Sequence, residues 1–165
     1  MEKSLIVKDS RIYSNIVLHD MHTDFYIKAL DGITDESAHN RLDTKANHVA
    51  WLAGSLVQQR YELATMFGEA HQQTHHELFS DFKGIQDGAY PPLEDFRQDW
   101  QKISPVLRQL LSDLPTEKLD SIFEAMGMKM TYFELLSFNT YREASVIGQI
   151  ALWRRLLDYP AMKYD

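Results

Sequence analysis

Pro91-Pro92-Leu93-Glu94-Asp95-Phe96-Arg97-Gln98-Asp99-Trp100-Gln101-Lys102-Ile103-Ser104-Pro105-Val106-Leu107-Arg108-Gln109-Leu110-Leu111-Ser112-Asp113-Leu114 is the stretch on which the fold turns. Its large apolar residues, Leu93, Phe96, Trp100, Ile103, Leu107, Leu110 and Leu114, advance by alternating steps of three and four. That is the seam of a helix packed in a bundle, and a proline suits its first turn. Pro105 falls inside the pattern, where it removes one backbone hydrogen bond at a cost of about 3 kcal/mol. The seam keeps its phase across Pro105, so the reading is one helix kinked near Ser104 rather than two helices.

The same period extends outward in both directions. Leu18, Met21, Phe25 and Ala29 mark a first long helix with Gly32 as its stop, and Thr34 to Ser37 open a short one. From Lys45 to Phe67 the residues Val49, Leu52, Leu56, Leu63 and Phe67 form a stripe ending at Gly68, a second long helix of about 30 Å. Between Gly68 and Pro91 the pattern lapses, and Thr74-x-x-Glu77 offers a capping box for one short helix. Thr116 to Glu124 reads as a connecting helix, and Thr131-x-x-Glu134 caps a last long helix that runs toward Leu157 before Pro160. No stretch shows period-two alternation bounded by hairpin turns. The expectation is an all-α chain, one domain over residues 1–165, built as a four-helix bundle with short connecting helices.

Composition narrows the partners. The 165 residues carry a net charge of −7, with no local Lys/Arg cluster, so the field repels nucleic acid and anionic membranes. The apolar runs Leu5-Ile6-Val7 and Ile16-Val17-Leu18 are far too short for a membrane span or a secretory core. With no cysteine, disulfides and thiolate metal sites are excluded, and a cytoplasmic location is expected.

The last helix is apolar nearly all round: Ala144, Val146, Ile147, Ile150, Ala151, Leu152 and Trp153 leave little polar face. Two arrangements bury both sides, a helix central to the monomer or a homodimer interface at which Gly148 permits close approach, and the second is preferred. Residues 141–157, Tyr-Arg-Glu-Ala-Ser-Val-Ile-Gly-Gln-Ile-Ala-Leu-Trp-Arg-Arg-Leu-Leu, resemble the last helix of DinB/YfiT-like bundles, whose usual form is His-Glu-x-x-His-x-Gly-Gln followed by a basic, leucine-rich end. Asn47-His48-Val49-Ala50-Trp51-Leu52-Ala53-Gly54-Ser55 is similar to that family's Asn-x-Ile-x-Trp-x-x-x-His stretch. The resemblance implies an up-down-down-up bundle, often dimeric. It also implies a divalent-metal site made of one histidine from the second long helix and an i, i+4 pair on the last, serving thiol S-transferases or hydrolases. In this chain those positions read Ser55, Arg142 and Val146, none of them a good metal ligand. Glu143, Gly148 and Gln149, which match the family pattern, therefore identify a fold and not a chemistry.

Ser55, Arg142, Val146 and Trp51 are accordingly the candidate ligand-binding positions, with no metal assigned to them. Arg142 could hold a small anionic ligand where the metal's charge would stand; the plainer alternative pairs it with Glu62 or Asp24, or leaves it in solvent. His48 lies two helical turns, roughly 10 Å, from Ser55 and cannot replace the missing ligand. His22 reads as a hydrogen-bonded core or rim residue, and His71, His75 and His76 as a surface cluster. Met126, Met128 and Met130 read as packing under a connector. The leading expectation is a metal-free, dimeric ligand-binding or scaffold bundle without cofactor. The alternative is a divergent enzyme that recruits other histidines for zinc or nickel, and no catalytic residue is assigned.

Overall fold

The computed structural model describes residues 6–165; Leu5, part of the first apolar run, lies outside the described residues. Four long helices dominate: α1 (Tyr13–Leu30), α3 (Val49–Met66), α4 (Leu93–Ser112) and α6 (Tyr132–Leu156), with α2 (Asp35–Ala38) and α5 (Thr116–Asp120) between them. No helix among the described residues is long and apolar enough to cross a membrane.

The starts are fixed by side chains that satisfy free N–H groups of the first turn. Thr34 Oγ1 accepts from Ser37 N at 3.1 Å to open α2. His48 caps α3, its Nδ1 accepting from Trp51 N at 3.1 Å, which is why that helix begins at Val49 and not at Lys45. The Thr131/Glu134 capping box opens α6 as expected. In α4 the seam residues Leu93, Phe96, Trp100, Ile103 and Leu107 are buried, and Leu114 is buried just beyond the helix. Pro105 lies within one continuous helix. The carbonyl it deprives of a donor belongs to Gln101, which is exposed, so water can take the place of the lost bond.

Two stretches differ from the sequence reading. The connecting helix stops at Asp120, and the chain then forms an antiparallel hairpin, β1 (Ile122–Ala125) with β2 (Met128–Thr131), in register Ile122↔Thr131 to Ala125↔Met128. Its two-residue turn, Met126-Gly127, has both φ angles positive, at 54° and 76°. Such turns match the twist of the strands, but they are normally announced by Asn-Gly or Asp-Gly, and four-residue strands are too short to show alternation. Met126 is 68% exposed at the tip, so the packing role expected for the three methionines fails there. In the second stretch Thr74 caps nothing. Its N–H donates to Asp99 Oδ2 at 2.6 Å, and two 3-10 turns follow, His76–Leu78 and Ser80–Phe82.

Each long helix packs against two others, α1 and α3 both contacting α4 and α6. The larger core gathers Tyr26, Leu52, Leu56, Phe96, Trp100 and Ile150 among others, and a second cluster joins Ile12, Ile16, Leu107 and Leu136. Gly54 makes the α3–α4 contact possible, because a Cβ there would lie 2.1 Å from the Phe79 ring and 2.8 Å from the Phe96 ring. Helix α6 buries Leu136, Ile147, Ile150 and Trp153 on one face while Phe138, Tyr141, Leu152 and Leu156 on the other are more than half exposed. It is therefore not a helix central to the monomer.

Candidate functional site

A cavity of about 480 Å³ opens between α3, α6, the hairpin and the turn at residues 79–83. Its buried end is made by Ser55 and Gln59 of α3 with Leu135 of α6, and its exposed rim by Met66, Phe82, Met128 and Phe138. Three of the four positions singled out in the sequence meet there. Trp51, Ser55 and Arg142 all line the cavity, whereas Val146, one turn beyond Arg142, is buried in the core and does not.

The geometry around Arg142 departs from both pairings expected for it. Its Nη1 donates to Gln59 Oε1 at 2.9 Å and its Nη2 approaches Ser55 Oγ at 3.3 Å. Asp24 is paired instead with Lys28 Nζ at 2.8 Å, and Glu62 accepts from Gln58 Nε2 at 2.9 Å. Gln59 is itself anchored, its Nε2 donating to Asn139 O at 3.1 Å, so α6 backbone and α3 side chain together fix the guanidinium. Among the described residues no carboxylate lies within 4.0 Å of Arg142. Burial lowers its pKa and the charges of Glu62 and Glu143 partly oppose that, but a guanidinium stays protonated throughout. The Trp51 indole Nε1–H is buried and has no hydrogen-bond partner.

Behind this wall lies a polar cluster that the sequence reading missed. Arg60 of α3 is fully buried. Its Nε and Nη2 form a fork on Glu143 Oε1 and Oε2 at 2.7 and 3.0 Å, its Nη1 donates to Thr23 and Ser104 hydroxyls at 2.7 Å each, and its Cζ lies 3.5 Å from the centroid of the Trp100 ring. His22 Nδ1 meets the same carboxylate at 3.1 Å, which places it as the core residue expected. Burial alone would raise the Glu143 pKa, but the Arg60 charge and hydrogen bonds outweigh it and hold the carboxyl ionised well below its usual range. The signal in the sequence was an interruption of stripes: Arg60 falls four after Leu56 and three before Leu63, and Glu143 four before Ile147. Opposite charges in two apolar seams are tolerated when they meet.

The remaining histidines are engaged elsewhere. His48 is committed to its cap and packs edge-on against Tyr90. His75 Nε2 bonds Asp95 Oδ2 at 2.8 Å, while His71 is exposed beside Glu69. Among the described residues no three histidine or carboxylate side chains converge as metal ligands. The positions Ser55, Arg142 and Val146 do not fit a divalent cation, since one presents a cation and another has no donor atom. Compared with known proteins, the chain matches no family model, no curated protein and no solved structure.

Proposed function

We propose that this chain is a metal-free, small-ligand-binding bundle of the DinB/YfiT-like kind that its second and last long helices resemble, with its long helices running up, down, down and up. The observation that carries the function is the cavity itself, apolar along most of its wall, within the 300–1,000 Å³ usual for small-molecule sites, and floored by a fixed guanidinium. Support for the helix directions comes from hydrogen-bonded residue pairs. Asn15–Thr140 and His22–Glu143 ascend together along α1 and α6, Ser55–Arg142 and Gln59–Asn139 run oppositely along α3 and α6, and Asp20–Arg108 and Thr23–Trp100 run oppositely along α1 and α4. A homodimer through the exposed face of α6 belongs to the same reading, motivated by the row Phe138, Tyr141, Gly148 and Leu152 that the monomer leaves uncovered.

The test of the ligand site is a fluorescence titration with N-phenyl-1-naphthylamine, an uncharged apolar probe. One saturable site per chain is expected, weakened in Met130→Trp, which puts an indole into the cavity wall. Absence of saturable binding, or the same binding by the folded variant, would remove the proposal.

A further inference from the structure

The cavity's polar atoms point to the chemical class of its occupant, an inference that rests on the cavity being a binding site. Arg142 has five donor hydrogens, and its two bonds are both to neutral acceptors, Gln59 Oε1 and Ser55 Oγ. A guanidinium drawn partly out of water with no carboxylate in contact, only the more distant charges of Glu62 and Glu143, is incompletely compensated, and the group that answers it best is a carboxylate taken in the two-pronged geometry of a planar fork. Trp51 lines the same wall, but its Nε1–H is shielded from the cavity and adds no donor there. The three Arg142 N–H groups left without a partner ask the ligand for acceptors and not for a donor.

Two features limit the charge. Glu62 lies in the cavity wall with no cation within 4.0 Å among the described residues, and the chain as a whole carries −7, so a second negative charge on the ligand is opposed. Lys83, the other cation of the wall, is exposed and its Nζ donates to the Glu77 carbonyl at 2.8 Å, at the rim and not at the buried end. Toward that rim the wall offers Met66, Phe82, Phe123 and Met128, which require only apolar surface, and the methionines adapt to bodies of different shape.

We propose that the ligand is an amphipathic monoanion, a carboxylate held at the buried end by Arg142, with an apolar body directed to the phenylalanine and methionine rim. The cavity suits a body of roughly ten to twenty non-hydrogen atoms.

The experiment is displacement of N-phenyl-1-naphthylamine from the wild-type protein by a matched ten-carbon series: decanoate, decanol, decylamine and decyl phosphate. A charge-assisted fork favours decanoate over decanol by about ten-fold or more, with decylamine and the dianionic phosphate weaker than decanoate. In Arg142→Gln the preference of decanoate over decanol disappears while the probe still binds. Decanol equal to or tighter than decanoate in the wild type overturns the proposal and leaves the binding cavity standing. So does a preference for decylamine or decyl phosphate, displacement by none of the four, or an undiminished preference in Arg142→Gln. A probe that does not bind at all overturns both.

Discussion

At the scale of single residues the molecule places charged and titratable side chains where their surroundings decide their state. His19 is buried, and its Nε2 lies 3.0 Å from the Ser104 carbonyl, an acceptor only, so that nitrogen carries the proton of a neutral ring. Burial, followed by the nearby charge of Arg60, lowers its pKa to about 4. His48 is lowered to about 4 as well, by burial first and then by His39. Because these folded-state values lie below the unfolded value of 6.5, the unfolded chain binds more protons as pH falls. The stability is therefore complete above about pH 6.5 and is lost progressively between 6.5 and 4. For His19 alone the loss by pH 5 is about 2 kcal/mol. Urea denaturation of the wild type and of His19→Gln at pH 7.5 and pH 5 measures it: the variant is expected to lose less stability on acidification by about that amount, and equal losses would contradict the assignment. Parts of this picture were legible beforehand, since Ser55, Trp51 and Arg142 were singled out by position and do share a cavity. Arg60 was not, because a single charge in a stripe of apolar residues reads as an exposed edge until its partner, 83 residues away, is seen opposite it.

At the scale of elements, the long helices were legible because each carries a stripe at a helical period, and that signal survives errors of a few residues at the ends. The hairpin was not, since nothing in Met126-Gly127 except the glycine advertises a turn, and its strands gain their place from packing beside α6. The consequence for function is direct, because Phe123, Met128 and Met130 of that hairpin form part of the cavity wall. Helix α6 has two faces of different standing. Its apolar circumference implied two buried faces, yet the chain buries only one, so substitutions on the two faces report different things. Ile147, 4% exposed, lies in the core, and Ile147→Asp is expected to cost several kcal/mol whatever the assembly. Leu152, 59% exposed, lies on the open face. Leu152→Asp is expected to leave the fold within about 0.5 kcal/mol of the wild type and to convert a dimer to monomer in sedimentation or light scattering. A wild type that is monomeric throughout the micromolar range, or a Leu152→Asp dimer as tight as the wild type, would contradict assembly through α6.

At the scale of the whole molecule, the four long helices enclose two kinds of interior. One is closed and polar, where Arg60, Glu143 and His22 satisfy one another and Trp100 covers the guanidinium. The other is open and apolar, roofed by the hairpin and by the turn at Asp81 and Phe82, both held at positive φ. Non-glycine residues in that backbone region cost about 1–2 kcal/mol each, which the surrounding contacts must offset. The closed interior ties α1, α3, α4 and α6 together, and the open one is the proposed ligand site. The methionines distinguish the two accounts of where a ligand goes, since Met66, Met128 and Met130 line the cavity while Met21, Met126 and Met162 do not. The most direct measurement is therefore a titration of methyl-labelled protein with decanoate followed by methionine methyl NMR. The account expects saturable shifts of the Met66, Met128 and Met130 methyl signals with those of Met21, Met126 and Met162 unmoved. Cavity methyls that stay still at saturating decanoate, or shifts led by Met21 or Met126, would contradict it.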